Sequence, residues 1–300
     1  MVAEVQPDRF AVEFLDLGDA AARAEVLPRA NFIVCLSLSA DQVELLGDCK
    51  LVMHNGVGYD AIAIAELAAR GIPVAVTPAM TPEGVAEHVF MMILGLSKQL
   101  PAVAESIRSG QWKMFSWREG SHNVAYKTLG VVGLGRIGKR VAHLASAFDC
   151  NVLYHDIVAP PPEFVERYDL TAVSFEELLS ASDIVTLHVP LTDATNNMMG
   201  RQQFEAMKPG AIFINASRGP TYDLEALYAA ISSGHLSGAG LDVFNPEPAP
   251  LDHPLFQLPN VICTPHIASG TVERQYAINT AQFENCRRVL DGEEPLNLVT

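Results

Sequence analysis

The sequence predicts an α/β protein built from two doubly wound parallel-sheet domains, and three observations predict it. Apolar, β-rich runs alternate with helical patterns along almost the whole chain, the signature of parallel sheets covered by helices on both faces. At 300 residues and 49% hydrophobic, the chain is long enough for two domains with their own cores. The alternation also runs twice, before Thr81 and again after Leu129, on either side of a segment that has no periodicity.

In the first set, short apolar runs predict strands at Phe32–Leu38, Leu51–Asn55 and Val74–Thr77. Helical patterns at Asp41–Leu46 and Ala61–Arg70 lie between them, with Gly71 placed to stop the second. Thr81-Pro82 is a helix start, since threonine can cap and proline suits a first turn, and the helix runs through Gly84–Leu100. Ser109 to Thr128 loses periodicity while holding Trp112, Phe115, Trp117 and Tyr126, too aromatic for a plain solvent loop. Residues from about 100 to 128 are therefore read as an arm that packs on a second subunit of a homodimer.

From Leu129 strands are predicted at Leu129–Gly133, Val152–Asp156, Ile184–Val189, Ile212–Asn215, Gly240–Phe244 and Val261–Thr264. Ser174-Phe175-Glu176-Glu177 opens one intervening helix as a capping box, and Leu224–Ile231, ended by Gly234, is another. Pro160-Pro161-Pro162 reads as a stiff connection. The last amphipathic stretch, Val272 to Leu290, has no strand after it. The simplest arrangement returns it to the first domain, giving a substrate domain of residues 1–80 plus 270–300 and a cofactor domain of 81–269 inserted within it. In fold terms, a Rossmann-type domain is expected inside a flavodoxin-like one.

Composition removes several function classes. A formal charge of −15 repels phosphate backbones, so no nucleic-acid partner is expected, and an anionic substrate must meet a locally basic pocket. The five cysteines show no C-x-x-C or other metal-ligand spacing, so no metal is expected and a reducing cytoplasm fits. Met1 to Phe14 carries Glu4, Asp8 and Glu13 where a signal peptide would be basic and then apolar. The longest apolar run, Val89 to Leu96, falls far short of the ~20 residues a bilayer span requires, so no membrane association is expected.

Gly133-x-Gly135-x-x-Gly138 follows a strand pattern and opens a helix pattern, and that context makes the glycines informative. The first allows a tight turn, the second lets backbone approach a pyrophosphate, and the third lets helix and strand pack closely. The helix N-terminus then presents free N–H groups and a positive dipole end to negative charge. Asp156, at the end of the next strand, can accept both hydroxyls of an adenosine ribose, and residues 157–162 contain no Arg or Lys for a 2′-phosphate. NAD is expected in preference to NADP. The bland alternative is a structural glycine turn in an unrelated sheet, which the strand, helix and spaced acid together disfavour.

Three further segments supply groups for reducing a 2-keto acid. Arg218, in Asn215-Ala216-Ser217-Arg218-Gly219, has the planar fork that matches a carboxylate. His266, in Thr264-Pro265-His266, is the side chain whose ordinary titration lies nearest working pH, and Glu247 can orient it. Singly, each has a plain structural reading as a surface ion-pair partner, a loop charge or a turn cap. All three follow predicted strands at their carboxyl ends, where ligands bind in open parallel sheets. His88 and His143, on helices, read as packing or surface residues, and His188 reads as bordering the cofactor.

These residues closely resemble the D-isomer-specific 2-hydroxyacid dehydrogenase family over nearly the whole chain. The matching segments are Asn55-Gly-Val-Gly-Tyr-Asp60, Gly84-Val-Ala-Glu-His88, the Gly133 loop, His188-Val-Pro-Leu-Thr192, Asn215-Ala-Ser-Arg-Gly219, Leu241-Asp-Val-Phe244 with Glu247-Pro248, and Thr264-Pro-His-Ile-Ala268. The resemblance implies Arg218, Glu247 and His266 as the catalytic trio. It implies NAD contacts from Arg136, Ile137, Asp156, Val189, Pro190, Thr195, Ala216, Ser217 and Asp242, with Asp242 near the nicotinamide amide. It also implies a substrate carboxylate on the backbone of Gly56, Val57 and Gly58, a cleft that closes over substrate, and dimers formed through the cofactor domain.

Departures from the family narrow the substrate. The phosphoglycerate branch carries arginines where this chain has Cys35-Leu36-Ser37-Leu38-Ser39, and it adds a regulatory domain. The formate branch has an amide in place of Glu247. Leu36 and Leu38 point to a small unphosphorylated acid such as glyoxylate, hydroxypyruvate or an aliphatic or aromatic keto acid, with Lys113 or Arg118 as a candidate second cation. Ser269-Gly270 and Tyr222 look unusual for the family. The rival readings are a phosphoglycerate-type dehydrogenase, a formate or phosphite dehydrogenase type, and a non-enzymatic NAD sensor resembling the family's corepressors.

Overall fold

The computed structural model describes residues 2–16 and 18–299, which form two compact units. One contains the chain up to Thr81 and again from Gly270 onward, and the other is Pro82–Ser269.

The smaller unit has a parallel sheet of β1 (Phe32–Cys35), β2 (Leu51–His54) and β3 (Val74–Val76), which keep their chain order across the sheet. β2 is buried along its length, as a central strand covered on both faces must be. One face packs Ile33, Val52 and Val74 against Leu27, Val43 and Leu67. The other packs Leu51, Met53 and Ala75 against Phe10, Cys286 and Val289, the last two from the helix Val272–Leu290. Leu298 then bridges antiparallel to Ala75.

The larger unit is a seven-stranded, all-parallel sheet. Its strands are β4 (Thr128–Val132), β5 (Asn151–His155), β6 (Leu170–Ala172), β7 (Ile184–Leu187), β8 (Ile212–Asn215), β9 (Gly238–Leu241) and β10 (Val261–Cys263), in the order β10-β9-β8-β7-β4-β5-β6. The winding reverses between β4 and β7, which opens a crevice at the carboxyl ends of those two strands. Period-two alternation builds a core on each face. Val131 joins Val89, Val141 and Ala145 on one side, whereas Val132 joins Leu178, Phe204 and Leu227 on the other.

Several local expectations are corrected. β1 stops at Cys35, and Leu38 makes only an isolated bridge to Ile62. The strand expected at Gly240–Phe244 runs instead over Gly238–Leu241, which releases Asp242 to Phe244 into the loop beyond it. The proline run is no mere connection, because Pro162 starts the helix Pro162–Arg167, where a missing N–H leaves no bond unmade. The arm begins with a second helix, Leu100–Arg108, split from Thr81–Ser97 where Gln99 turns left-handed at φ 53°. Thr81 is the first residue of its helix, and its hydroxyl accepts from Arg274 Nε at 3.1 Å.

Candidate active site

The Gly133 loop lies at the carboxyl end of β4, beside the reversal of winding. Gly133 has φ +90°, a left-handed conformation that side chains rarely adopt, and a Cβ there would stand 2.6 Å from His188 O. A Cβ on Gly138 would stand 2.0 Å from Gly133 O, so only glycine lets the helix Arg136–Ala147 pack this closely. Around Gly135, by contrast, a Cβ would meet nothing within 4 Å, and Arg136 beside it is exposed. The loop is thus an open cradle at a helix N-terminus, which fits a dinucleotide pyrophosphate.

Asp156 closes one side of the cradle. Its Oδ2 accepts from Leu134 N–H at 2.5 Å and its Oδ1 from Val158 N–H at 2.8 Å. A carboxylate has about four acceptor sites, so capacity remains for ribose hydroxyls. Ile157 and Val158 are 97% and 68% exposed and offer a 2′-phosphate no cation. Val189 Cγ1 lies 3.0 Å from the Cβ position of Gly133. The following turn is closed by Thr195, whose Oγ1 donates to Pro190 O at 2.6 Å and accepts from Thr192 N–H at 2.8 Å.

After β8 the chain folds around the buried Asn215 side chain. Its Oδ1 accepts from both N–H and Oγ of Ser217, at 2.9 and 2.7 Å, and its Nδ2 donates to Arg218 O and to Thr221 Oγ1. Ser217 is therefore turned inward, while Ala216 and Arg218 are half-buried. Arg218 Nη1 donates to Ser217 O at 2.7 Å, which fixes the root of the guanidinium. Buried Tyr222, from the same turn, donates its hydroxyl to Val243 O at 3.1 Å and so pins the loop that follows β9; burial raises its phenol pKa.

That loop carries Glu247. Its Oε1 accepts from Phe244 N–H at 3.0 Å, and its Oε2 lies 2.8 Å from His266 Nδ1. A carboxylate only accepts, so Nδ1 must carry the proton of this bond and Nε2 is left as the nitrogen that can exchange one. His266 has φ +55°, a strained conformation for a non-glycine residue. The strain is held by bonds from its N–H to Asp242 O at 2.8 Å and Thr264 O at 3.1 Å. Beside the pair lies a cavity of about 440 Å³ walled by Phe244, Leu251, Phe256 and Cys263.

Asp242, for which the resemblance implies a nicotinamide contact, turns its carboxylate toward the histidine loop. The side chain is 1% exposed and accepts from Thr264 Oγ1 at 2.6 Å, Ile267 N–H at 2.9 Å and Ala268 N–H at 2.8 Å. His88 belongs to this network, which corrects its reading as a packing residue. Its Nε2 lies 2.9 Å from Thr264 Oγ1 and 3.7 Å from Asp242 Oδ1. Since Thr264 gives its proton to Asp242, His88 Nε2 must be the donor to Thr264. Burial lowers the His88 pKa, and the Asp242 charge opposes that shift. Its sequence signal was the Gly84-to-His88 segment, which has no chemical meaning until Thr264 is beside it.

The remaining candidates fall elsewhere. Gly56, Val57 and Gly58 belong to the smaller unit, in the turn after β2. Leu36 is 66% exposed there, but Leu38 is fully buried in the core and cannot face a ligand. His143 packs at a tilt against Tyr168 with ring centroids 4.9 Å apart. His188 lies next to the glycine loop with Nδ1 buried and unpartnered, and burial pushes its pKa down to about 3. Among the described residues no His, Cys, Asp or Glu group is placed to hold a metal ion, and no helix is long and apolar enough to cross a membrane.

Residues 90–268 match the family model for the D-isomer specific 2-hydroxyacid dehydrogenase, NAD binding domain. A glyoxylate reductase of Korarchaeum cryptofilum is 38% identical over 265 residues, 87% of this chain and 79% of the relative. Glyoxylate/hydroxypyruvate reductase B of Citrobacter koseri is 41% identical over 245 residues, 81% of this chain and 75% of that protein. Among solved structures, D-lactate dehydrogenase from Aquifex aeolicus, complexed with NAD and lactic acid, superposes with a TM-score of 0.83 at 33% identity, covering 92% of this chain and 88% of that one.

Proposed function

Because the chain belongs to the D-isomer specific 2-hydroxyacid dehydrogenase family and carries its NAD-binding domain, we propose that it reduces a small unphosphorylated 2-keto acid to the D-2-hydroxy acid, with His266 as the acid/base. The observation that carries this reading is the 2.8 Å bond between His266 Nδ1 and Glu247 Oε2, in the unit that also holds the dinucleotide cradle.

Gly133, Gly135, Arg136, Ile137 and Gly138 would hold the pyrophosphate side of NAD, Asp156 its ribose, and Val189, Pro190, Thr195, Ala216 and Ser217 would border it. Bound NADH supplies the hydride. Arg218 takes the substrate carboxylate in its planar fork and directs an N–H toward the carbonyl oxygen. His266, doubly protonated, gives its Nε2 proton to that oxygen as the alcohol forms, and the imidazole returns to its Nδ1–H form. Glu247 holds the ring orientation through both states. Asp242, through Thr264 and the amides of Ile267 and Ala268, keeps His266 in its strained conformation. The N–H groups of Gly56, Val57 and Gly58 are a further carboxylate site.

The names of the relatives suggest glyoxylate and hydroxypyruvate as first substrates to try. The apolar cavity beside His266 and exposed Leu36 suit an uncharged substituent. NADH consumption should be measured with glyoxylate, hydroxypyruvate, aliphatic keto acids and phosphohydroxypyruvate, with Arg218→Ala as control. Turnover of the unphosphorylated acids, lost in the control, is expected. A steep preference for phosphohydroxypyruvate would overturn the substrate assignment, and absence of turnover with every acid would overturn the enzyme reading.

A second copy of the chain, in the cytoplasm, is the proposed partner of the arm, residues from about 100 to 128. Trp112, Met114 and Phe115 are 82%, 59% and 62% exposed there, large apolar side chains that a second copy would cover. Light scattering should return the mass of a dimer, and a monomer at micromolar concentration would contradict it.

A further inference from the structure

Arg274 stands where elementary electrostatics disfavours a cation on three counts. It lies in the first turn of the helix Val272–Leu290, at the positive end of the dipole. It is 8% exposed, and burial lowers its pKa. It makes no ion pair among the described residues, and its neighbour Glu273 is exposed. A buried charge without an ion-pair partner is costly, and such departures concentrate where a protein has a function for them.

Its surroundings indicate what that is. The guanidinium donates to neutral acceptors, Nε to Thr81 Oγ1 and Nη2 to Asn55 O, both at 3.1 Å. A Cβ built on Gly56 would stand 3.5 Å from Nη2, so the charge sits directly behind the Gly56-Val57-Gly58 turn. The N–H groups of those three residues meet no acceptor among the described residues. The carbonyls of the first two peptide groups are engaged, Asn55 O by Arg274 and Gly56 O by Thr77 N–H at 2.8 Å. Each such bond polarises its peptide and makes the N–H of Gly56 or Val57 a stronger donor. Gln282 Nε2 holds Asn55 Oδ1 at 3.1 Å and fixes the start of the turn.

Consecutive unpaired amides backed by a positive charge form an anion nest. In a chain of net charge −15, such a local concentration of positive potential is needed to attract a carboxylate. We propose that Arg274 is the buried cation that gives the Gly56-to-Gly58 turn its affinity for a carboxylate, acting through the Asn55–Gly56 peptide without touching the ligand. If the substrate is a keto acid, as proposed above, that carboxylate is the substrate's. Arg274 is then a positioning residue that acts on binding, and kcat is left to the residues around His266.

The test uses the full chain and two probes, oxalate as a non-reacting dianion and glyoxylate as a substrate. Arg274→Met should weaken oxalate binding, read by titration calorimetry, by about tenfold, and raise the glyoxylate KM by about tenfold with kcat within about twofold. NADH affinity should not change. Arg274→Lys keeps the charge and should bind oxalate within about threefold of the unmodified protein. Oxalate affinity and KM unchanged in the Met variant, with a fall in Tm alone, would reduce Arg274 to a structural brace and overturn the proposal. So would a tenfold loss of oxalate affinity in the Lys variant, which also decides the matter if the Met variant does not fold. Oxalate binding that depends on Arg274 in a protein that turns over no keto acid would uphold this site while removing the reductase reading.

Discussion

Replacing Glu247 by glutamine perturbs one charge and almost no volume. Both groups facing the Glu247 carboxylate, Phe244 N–H and His266 Nδ1–H, are donors. An amide has one oxygen to offer, so its NH2 must confront a donor or force His266 into the other tautomer. A charge-assisted bond is worth about 1.5–3 kcal/mol when desolvated. The two side chains are 51% and 38% exposed, and solvent screening reduces the loss to about 1 kcal/mol. That corresponds to about fivefold in rate. Glyoxylate reduction followed by NADH absorbance at about pH 7 should show kcat/KM lowered by about that factor. An unchanged kcat/KM would refute the role given to Glu247.

Other perturbations read separate parts of the account. Asp156→Asn keeps an acceptor for Leu134 N–H but removes the charge, so the preference of kcat/KM for NADH over NADPH should shrink by about tenfold; equal use of both cofactors by the unmodified protein would contradict the argument. Gly138→Ala places a Cβ 2.0 Å from Gly133 O, and the overpacking should cost about 2 kcal/mol, lower Tm by roughly 4–8 °C and weaken NADH binding; an unchanged Tm and Kd would show that the loop yields. His188 keeps its proton off down to pH about 3 in the folded chain, whereas the unfolded chain takes one up at its ordinary pKa of ~6.5. Its contribution is complete above about pH 6.5 and is lost toward pH 3 by about 1.4 kcal/mol per pH unit. Urea unfolding of His188→Gln should lack that part of the acid slope, and identical slopes would exclude it.

Much of this was legible in the sequence because strand runs and their ends are local. Apolar runs located the strands, and Gly133, Arg218 and His266 each follow one, so parallel pairing alone carries them to the same edge of the sheet. Local patterns failed where proline had two meanings. Pro160-Pro161-Pro162 reads as a stiff connection, yet Pro162 sits in a first turn, where proline fits. β6 is three residues long and leaves little pattern to find. Leu38 alternates with Leu36 as a strand residue would, but the strand had already ended and Leu38 turned into the core. The networks of His88 and Arg274 were out of reach for another reason. Thr264 is 176 positions from His88, and Asn55 is 219 from Arg274, so neither partnership exists before the fold does.

The measurement that bears most directly on the His266 chemistry is the pH dependence of kcat/KM in both directions with one substrate pair, glyoxylate with NADH and glycolate with NAD⁺. Reduction needs the doubly protonated imidazole and should fall as pH rises, while oxidation needs a free Nε2 lone pair and should rise over the same interval. Profiles that move in parallel, or that persist unchanged in His266→Gln, would contradict proton transfer by this residue.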